Sequence, residues 1–299
     1  MEGEGKMNND FIIEIKNVSK AYKNKHVLNQ LSLNILKASV FGLLGKNGSG
    51  KTTLIKTILG LLKISSGNIS VFNDNPWDFK DTTKEKIGYV PQNDRIYPWL
   101  SVRQLIDYIS SFYKSWNVSL INQLIKDWEI NENDRFGVLS EGQAQKVSII
   151  LALGHEPDLL VLDEPVASLD PIARRQFLKT ILDIVLERNC TVFFSTHITS
   201  DLERIADNVA ILKDGRIDFQ GELDQLKDEV KRLRIISSEK LPEQIDVEGV
   251  LNYKISNNES IISIRGFNSK LKKTLENKFN AKIEIEDMNL DEIFLELNR

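Results

Sequence analysis

Short, nearly unbroken apolar runs recur along this chain, each closed by a glycine-rich, acidic or polar stretch. Val40-Phe41-Gly42-Leu43-Leu44 and Leu159-Leu160-Val161-Leu162 read as strands buried on both faces, the pattern of a parallel sheet. Val192-Phe193-Phe194-Ser195 predicts another strand. Nearer the N-terminus, Phe11-Ile12-Ile13-Glu14-Ile15 and Val27-Leu28 through Leu31-Ser32-Leu33-Asn34-Ile35 also read as strands. Apolar spacing predicts helix from Thr53 to Leu62, over most of Ser101 to Leu153, from Pro171 to Arg188 and from Ser200 to Ile205. In the 171–188 helix the expected buried face is Ile172, Phe177, Ile181, Ile184 and Val185. Val209–Leu212 and Arg216–Phe219 flank Asp214-Gly215 as a hairpin would. After Leu226 the pattern changes. Val230 to Asn298 predicts strand, strand, helix, strand, helix, with Asn257-Asn258 turning between 250–256 and 260–265. That stretch is expected to form a small α+β accessory domain.

Composition narrows the class. The 299 residues are 41% hydrophobic and 27% charged, ordinary for a folded chain of about two domains. A net charge of −4 argues against a nucleic-acid binder held by bulk charge, so no nucleic-acid partner is expected. Cys190 is the only cysteine, which excludes an internal disulfide and suits a small core residue at a strand start. No stretch reaches the roughly 20 apolar residues of a membrane helix. Residues 1–10 are polar, lack the apolar core of a signal peptide, and read as a disordered tail.

The strongest chemical signal follows the 40–44 strand. Gly45-Lys46-Asn47-Gly48-Ser49-Gly50-Lys51-Thr52 matches the P-loop pattern in full, between a strand and a helix. Glycines let the backbone curl until successive N–H groups face phosphate oxygens, and the helix N-terminus adds its positive dipole end. Gly45, Asn47, Gly48, Ser49, Gly50, Lys51, Thr52 and Thr53 are therefore candidate ATP contacts. Lys51 places a cation on the β- and γ-phosphates, and the Thr52 hydroxyl is a hard oxygen suited to Mg2+. A second signal closes the 159–162 strand, where Asp163 and Glu164 follow four apolar residues. Ligands gather at the carboxyl ends of such strands. Asp163 is the expected Mg2+ ligand, and Glu164 the expected general base on the attacking water.

Further motifs then line up in order. Leu139-Ser140-Glu141-Gly142-Gln143 resembles the signature of ATP-binding-cassette (ABC) proteins, usually written LSGGQ, with an acid in place of one glycine. Gln92 in Tyr89-Val90-Pro91-Gln92 resembles the Q-loop, Ser168-Leu169-Asp170 the D-loop, and His197 the switch histidine. Tyr22 stands where that family places an aromatic on adenine. The resemblance covers roughly Phe11 to Leu226. Ser140 and Gln143 also form a capping-box pattern ahead of an apolar run, which makes that helix start an anion site in its own right.

The resemblance implies an α/β P-loop NTPase. It would combine a RecA-like core of mostly parallel sheet, an antiparallel β subdomain and an inserted helical subdomain at about 93–153. Expected boundaries are 11–228 for the nucleotide-binding domain and 229–299 for the accessory domain. It implies a Mg·ATP-hydrolysing transporter subunit, cytoplasmic and peripheral at the inner face of the membrane. Such a subunit dimerises with itself or a related cassette and works on a separate integral membrane permease. Ser140, Gly142 and Gln143 would then contact ATP held by the second cassette, while Gln92 would join the metal site to the helical region and His197 would meet the γ-phosphate. Tyr97-Pro98-Trp99-Leu100-Ser101-Val102 is a candidate permease-facing lining, and the tail from Asn289 to Leu297 resembles those of export-type cassettes for drugs, peptide antibiotics or lipids. Two other classes compete. A repair-type ABC ATPase would insert a long coiled coil between Lys51 and Ser140, and a translation-type one would carry two cassettes; neither is present. A regulatory subunit with little turnover is opposed by Glu164 and kept open by Glu141. His26 and His155 lack any such context and read as structural.

Overall fold

The computed structural model describes residues 11–23, 25–92 and 97–299. The tail expected at 1–10 and the first residues of the helical insert, 93–96, lie outside the described residues. The elements run β1 (Phe11–Tyr22), β2 (Lys25–Leu36), β3 (Val40–Leu44), α1 (Lys51–Ile58), β4 (Ser66–Val71), α2 (Asp81–Lys84), β5 (Ile87–Val90), α3 (Val102–Ser110), α4 (Val118–Asp127) and α5 (Glu141–Leu153). They continue with β6 (Leu159–Asp163), α6 (Pro171–Arg188), β7 (Thr191–Thr196), α7 (Thr199–Ile205), β8 (Asn208–Lys213), β9 (Arg216–Glu222), α8 (Leu223–Glu229), β10 (Val230–Ser237), β11 (Val250–Ser256), β12 (Glu259–Arg265), α9 (Ser269–Phe279), β13 (Ala281–Asp287) and α10 (Leu290–Leu297). Among the described residues, no helix is long and apolar enough to cross a membrane. The chain divides into two compact units.

The first unit holds the described residues up to His197 together with Ile205–Gln220. Its six-stranded sheet has the order β5-β6-β7-β3-β8-β9. The pairs from β5 to β8 are parallel, with Leu44 beside Thr196 and Ile211, Val90 beside Leu162, and Asp163 beside Ser195. The carboxyl ends of β3, β5, β6 and β7 therefore lie along one margin of the sheet, where a doubly wound fold collects its ligands. A second, antiparallel sheet has the order β2-β1-β4. Leu54, Ile55 and Ile58 of α1 share one core with Ile13, Ile15, Leu31 and Leu33 of the antiparallel sheet and Leu43, Leu159 and Phe193 of the parallel one. Successive residues of β7 serve opposite faces. Phe193 stacks on Phe41 at 5.9 Å, and Phe194 meets Phe177 of α6 at 6.3 Å.

Helix α1 is shorter than its apolar run. It stops at Ile58 because Gly60, at φ 69°, turns the chain left-handed, and the Gly60 and Leu61 N–H groups close back on Thr57 and Lys56 carbonyls. Helix α6 begins and ends where expected, but Ile172 is 72% exposed. It sits five residues before Phe177, a rotation of about 140° that puts it off the buried stripe. That stripe is Ala173, Phe177, Leu178, Ile181 and Ile184, and Val185 is only half-buried. The Asp214-Gly215 turn joins β8 to β9 with both residues at positive φ, as a tight hairpin requires.

The second unit comprises Ile198–Arg204 and Gly221–Arg299. Its antiparallel sheet has the order β11-β12-β10-β13. Leu233, Ile235, Ile262, Ile264 and Ile283 pack on one face against Leu275 of α9, Leu241 and Ile245. Strand β10 adds to the two strands expected before α9. Its Lys231, Arg232 and Arg234 interrupt the apolar pattern, and they pair with Asp287, Glu292 and Glu259.

Two isolated residues settle into the first unit's core. Cys190 is 1% exposed, and burial pushes its thiol up to about 12. His155 is 8% exposed, stacks on Tyr113 at 4.1 Å and places Nε2 3.2 Å from the Ile87 carbonyl. Burial lowers its pKa, partly opposed by that carbonyl. The folded chain thus holds a neutral imidazole that the unfolded chain protonates first, so stability falls as pH drops through the unfolded value of about 6.5. Thermal unfolding between pH 7.5 and 5.5 is expected to show a falling Tm. The fall should be smaller in His155→Gln; an equal fall in both proteins would remove His155 as its source.

Candidate functional site

Strand β3 delivers the chain directly into the glycine-rich loop. Gly50 is the N-cap of α1 at φ 112°, a conformation that side chains rarely adopt, and the first N–H groups of α1 have no partner within the helix. A cavity of about 380 Å3 opens there, lined by Asn47, Gly48, Gly50, Lys51, Thr52 and Thr53 of the loop and by Val27, Gln92 and Glu164. Lys51 is buried. Its Nζ donates to the Gly45 carbonyl at 2.7 Å and the Lys46 carbonyl at 3.4 Å, and lies 3.1 Å from Glu164 Oε1. The ammonium thus makes two hydrogen bonds to loop carbonyls and a buried ion pair with Glu164.

The acid pair ends β6. Ser195 Oγ, on the adjacent strand, donates to Asp163 Oδ1 at 2.7 Å; Asp163 Oδ2 is buried and has no hydrogen-bond partner. Glu164, 4% exposed, has φ 52°, a left-handed conformation worth about 1–3 kcal/mol of strain in a residue with a side chain. Its N–H is held by the Ser195 carbonyl at 3.0 Å. Its carboxylate spans two cations or donors, with Oε1 toward Lys51 and Oε2 2.8 Å from His197 Nδ1. The backbone N–H of His197 reaches the same Oε2 at 3.3 Å. The structure thus brings Lys51 and His197 together on the Glu164 carboxylate, with Gln92 on the same cavity wall and Asp163 held by Ser195 at the end of β6.

The signature residues and Tyr22 do not line this cavity. Ser140 caps α5 in the expected box: Gln143 N donates to Ser140 Oγ at 3.2 Å and Ser140 N to Gln143 Oε1 at 3.0 Å. Glu141 turns toward the D-loop, with Ser168 Oγ 3.4 Å from its Oε2. Asp170 caps α6, and its carboxyl is held below the usual range by the backbone N–H groups of Ala173 and Ile172. Tyr22 is half exposed at the end of the β1–β2 hairpin, with Lys20 Nζ 5.1 Å from its ring centre.

Residues 28–167 match the family model described as ABC transporter. The ATP-binding protein YtrB of Bacillus subtilis is 32% identical over 224 residues, 75% of this chain and 76% of its own length. YhaQ of the same organism, described as an uncharacterized ABC transporter ATP-binding protein, is 32% identical over 95% of this chain and 98% of its own. This chain belongs to the ABC transporter family. The bacitracin transport ATP-binding protein BcrA of Bacillus licheniformis is 32% identical over 72% of this chain and 71% of its own. Among solved structures, the dimeric bacterial ABC transporter cassette MJ0796 superposes with a TM-score of 0.64 at 26% identity, covering 71% of this chain and 98% of that one. A dimeric post-hydrolysis state of MJ0796 bound to ADP and Pi superposes equally, at 25% identity, again over 71% of this chain and 98% of that one.

An ABC ATP-binding subunit needs a place for Mg2+, and the donors here fit one. Thr52, Asp163 and Gln92 offer hard oxygens, and the buried, unpartnered Asp163 Oδ2 is an acceptor waiting for a cation or donor. No cluster of three or more His, Cys, Asp or Glu side chains suited to a metal exists among the described residues. Mg2+ suits such a sparse set, because it binds through one or two protein oxygens and completes its shell with phosphate and water. Sequence reading missed two parts of this cassette. Val27 lines the cavity although its strand carries no motif. The left-handed turn at Glu164 is invisible in a residue type that rarely adopts it.

Proposed function

We propose that this chain binds Mg·ATP in the 45–53 loop and hydrolyses it between two cassettes, driving export through a separate membrane-spanning partner. The observation that carries the hydrolytic half is the shared carboxylate: Glu164 is held by Lys51 at 3.1 Å and by His197 at 2.8 Å, at the mouth of the phosphate loop. A triphosphate would compete for the Lys51 ammonium and free Glu164 to accept a proton from water. Loop N–H groups orient the phosphates, and His197 contacts the terminal one. Thr52, Asp163 and Gln92 would hold Mg2+, which would supply neutralisation of phosphate charge. Tyr22 offers its face to the base. Ser140, Gly142 and Gln143 of a second copy close over the terminal phosphate, a reading supported by the dimeric MJ0796 cassette.

Apolar surface on both sides of Gln92 supports a membrane partner. Ahead of it, a groove of about 440 Å3 is lined by Leu59, Leu61, Trp77, Phe79, Ile87 and Tyr89; Leu61 is 63% exposed and Trp77 53%. Beyond it, Trp99, Tyr97, Tyr108 and Phe112 form an edge-to-face ladder with steps of 5.8, 5.1 and 5.1 Å, and Trp99 is 66% exposed. Exposed aromatics of this density are what partner surfaces use. Export rather than uptake is supported by the likeness to BcrA, named for bacitracin transport. Trp77→Ala with Trp99→Ala should lower the share of chain recovered in native membranes about tenfold without lowering its Tm. Unchanged recovery would remove these surfaces from the docking site. Recovery with ribosomes or DNA alone would overturn the transport reading.

A further inference from the structure

His197 ends the first of the two segments that make up the first unit, and the residue after it already belongs to the second unit. Helix α7, which follows His197 at once, is fastened within that second unit. Thr199 is 4% exposed, and its Oγ1 donates to Asp291 Oδ1 at 3.1 Å. Glu203, one turn on, pairs with Lys227 of α8 at 2.6 Å. Asp291 is itself held firmly. It lies in the first turn of α10, where Asn289 and Glu292 form a complete capping box, Glu292 pairs with Arg232 of β10 at 2.9 Å, and Leu290, Ile293, Phe294 and Leu297 are buried. A buried hydroxyl meeting a carboxylate fixed at a helix start restrains the backbone two residues from the switch histidine.

We propose that Asp291, acting through Thr199, is a positioning residue for His197, so that the C-terminal unit sets the rate of the hydrolytic step. This rests on the catalytic reading of His197 above. The hydrogen bond lies within one unit, yet its effect reaches the other along the chain through Ile198. Loosening it leaves the phosphate loop untouched, so substrate binding is preserved while the His197 and Glu164 pair samples unproductive positions. The C-terminal unit thereby becomes a rate-setting element, and α10 is the part whose displacement would slow turnover.

The test measures steady-state Mg·ATP hydrolysis by the full chain as Thr199→Val, Thr199→Ser, Asp291→Ala and Asp291→Asn, each also in a His197→Ala background. Thr199→Val and Asp291→Ala are expected to lower kcat about threefold to tenfold with KM unchanged. Thr199→Ser and Asp291→Asn, which keep a donor and an acceptor, should stay near the parent rate. With His197→Ala neither damaging change should lower the residual rate further, because the group being positioned is gone. Should Asp291→Ala fail to fold, the near-isosteric Thr199→Val, compared with Thr199→Ser, carries the same decision. Unchanged kcat in both damaging variants, or the same loss with and without His197, would overturn the link while leaving the site intact. Parent-level turnover by His197→Ala alone would overturn the link and the catalytic reading together.

Discussion

Glu164→Gln lowers ATP turnover by about a thousandfold, the scale of losing a positioned general base, while Mg·ATP binding persists. The amide keeps the shape of the carboxylate, so the strained backbone at φ 52° and the contact with His197 remain possible. What disappears is the acceptor for the proton of the attacking water. The buried charge opposite Lys51 disappears as well, which leaves that ammonium more available to phosphate. Binding should therefore hold or tighten as hydrolysis fails. Phosphate-release kinetics and calorimetric titration of the same protein separate the two effects. Turnover within tenfold of the parent would take Glu164 out of the chemistry.

Lys51→Ala is the second large change. Losing a charge-assisted contact to phosphate costs about 1.5–3 kcal/mol, or about 10- to 100-fold in the Kd for Mg·ATP. The same substitution also acts before any nucleotide arrives. Lys51 and Glu164 have side chains 6% and 4% exposed, and removing one partner of a buried pair costs up to about 3–5 kcal/mol when the other stays charged. The variant should unfold several degrees lower than the parent. Adding Glu164→Gln should restore much of that loss without restoring affinity. Measuring Tm and Kd on the two variants tests both halves. Parent-like affinity in Lys51→Ala would contradict the assigned phosphate contact.

Residues close in sequence were legible because their chemistry is local. The eight-residue loop, the acids ending a buried strand, the Ser140–Gln143 box and the Asp214-Gly215 turn each depend on spacing that the chain itself imposes. The meeting of Lys51 with Glu164 was less legible. It depends on a strand order, β5-β6-β7-β3-β8-β9, in which β7 stands between β3, whose loop leads to Lys51, and β6, which Glu164 follows, and hydrophobic periodicity does not encode strand order. Ile172 departs from the expected face because an apolar residue in a helix's first turn need not share the rotation of the stripe that follows. Strand β10 was hidden by three cations whose partners come from β12, β13 and α10, all distant in sequence. The attachment of α7 to the second unit was equally invisible, since Thr199 and Asp291 carry no motif that links them.

A phosphate gripped by this loop is proposed to bind two cassettes into one particle. Sedimentation velocity of purified Glu164→Gln protein, with and without Mg·ATP, tests it most directly. The expected particle is a monomer that becomes a dimer only when Mg·ATP is added and returns to monomer with Mg·ADP. A protein that binds Mg·ATP yet sediments as a monomer under every condition would contradict it.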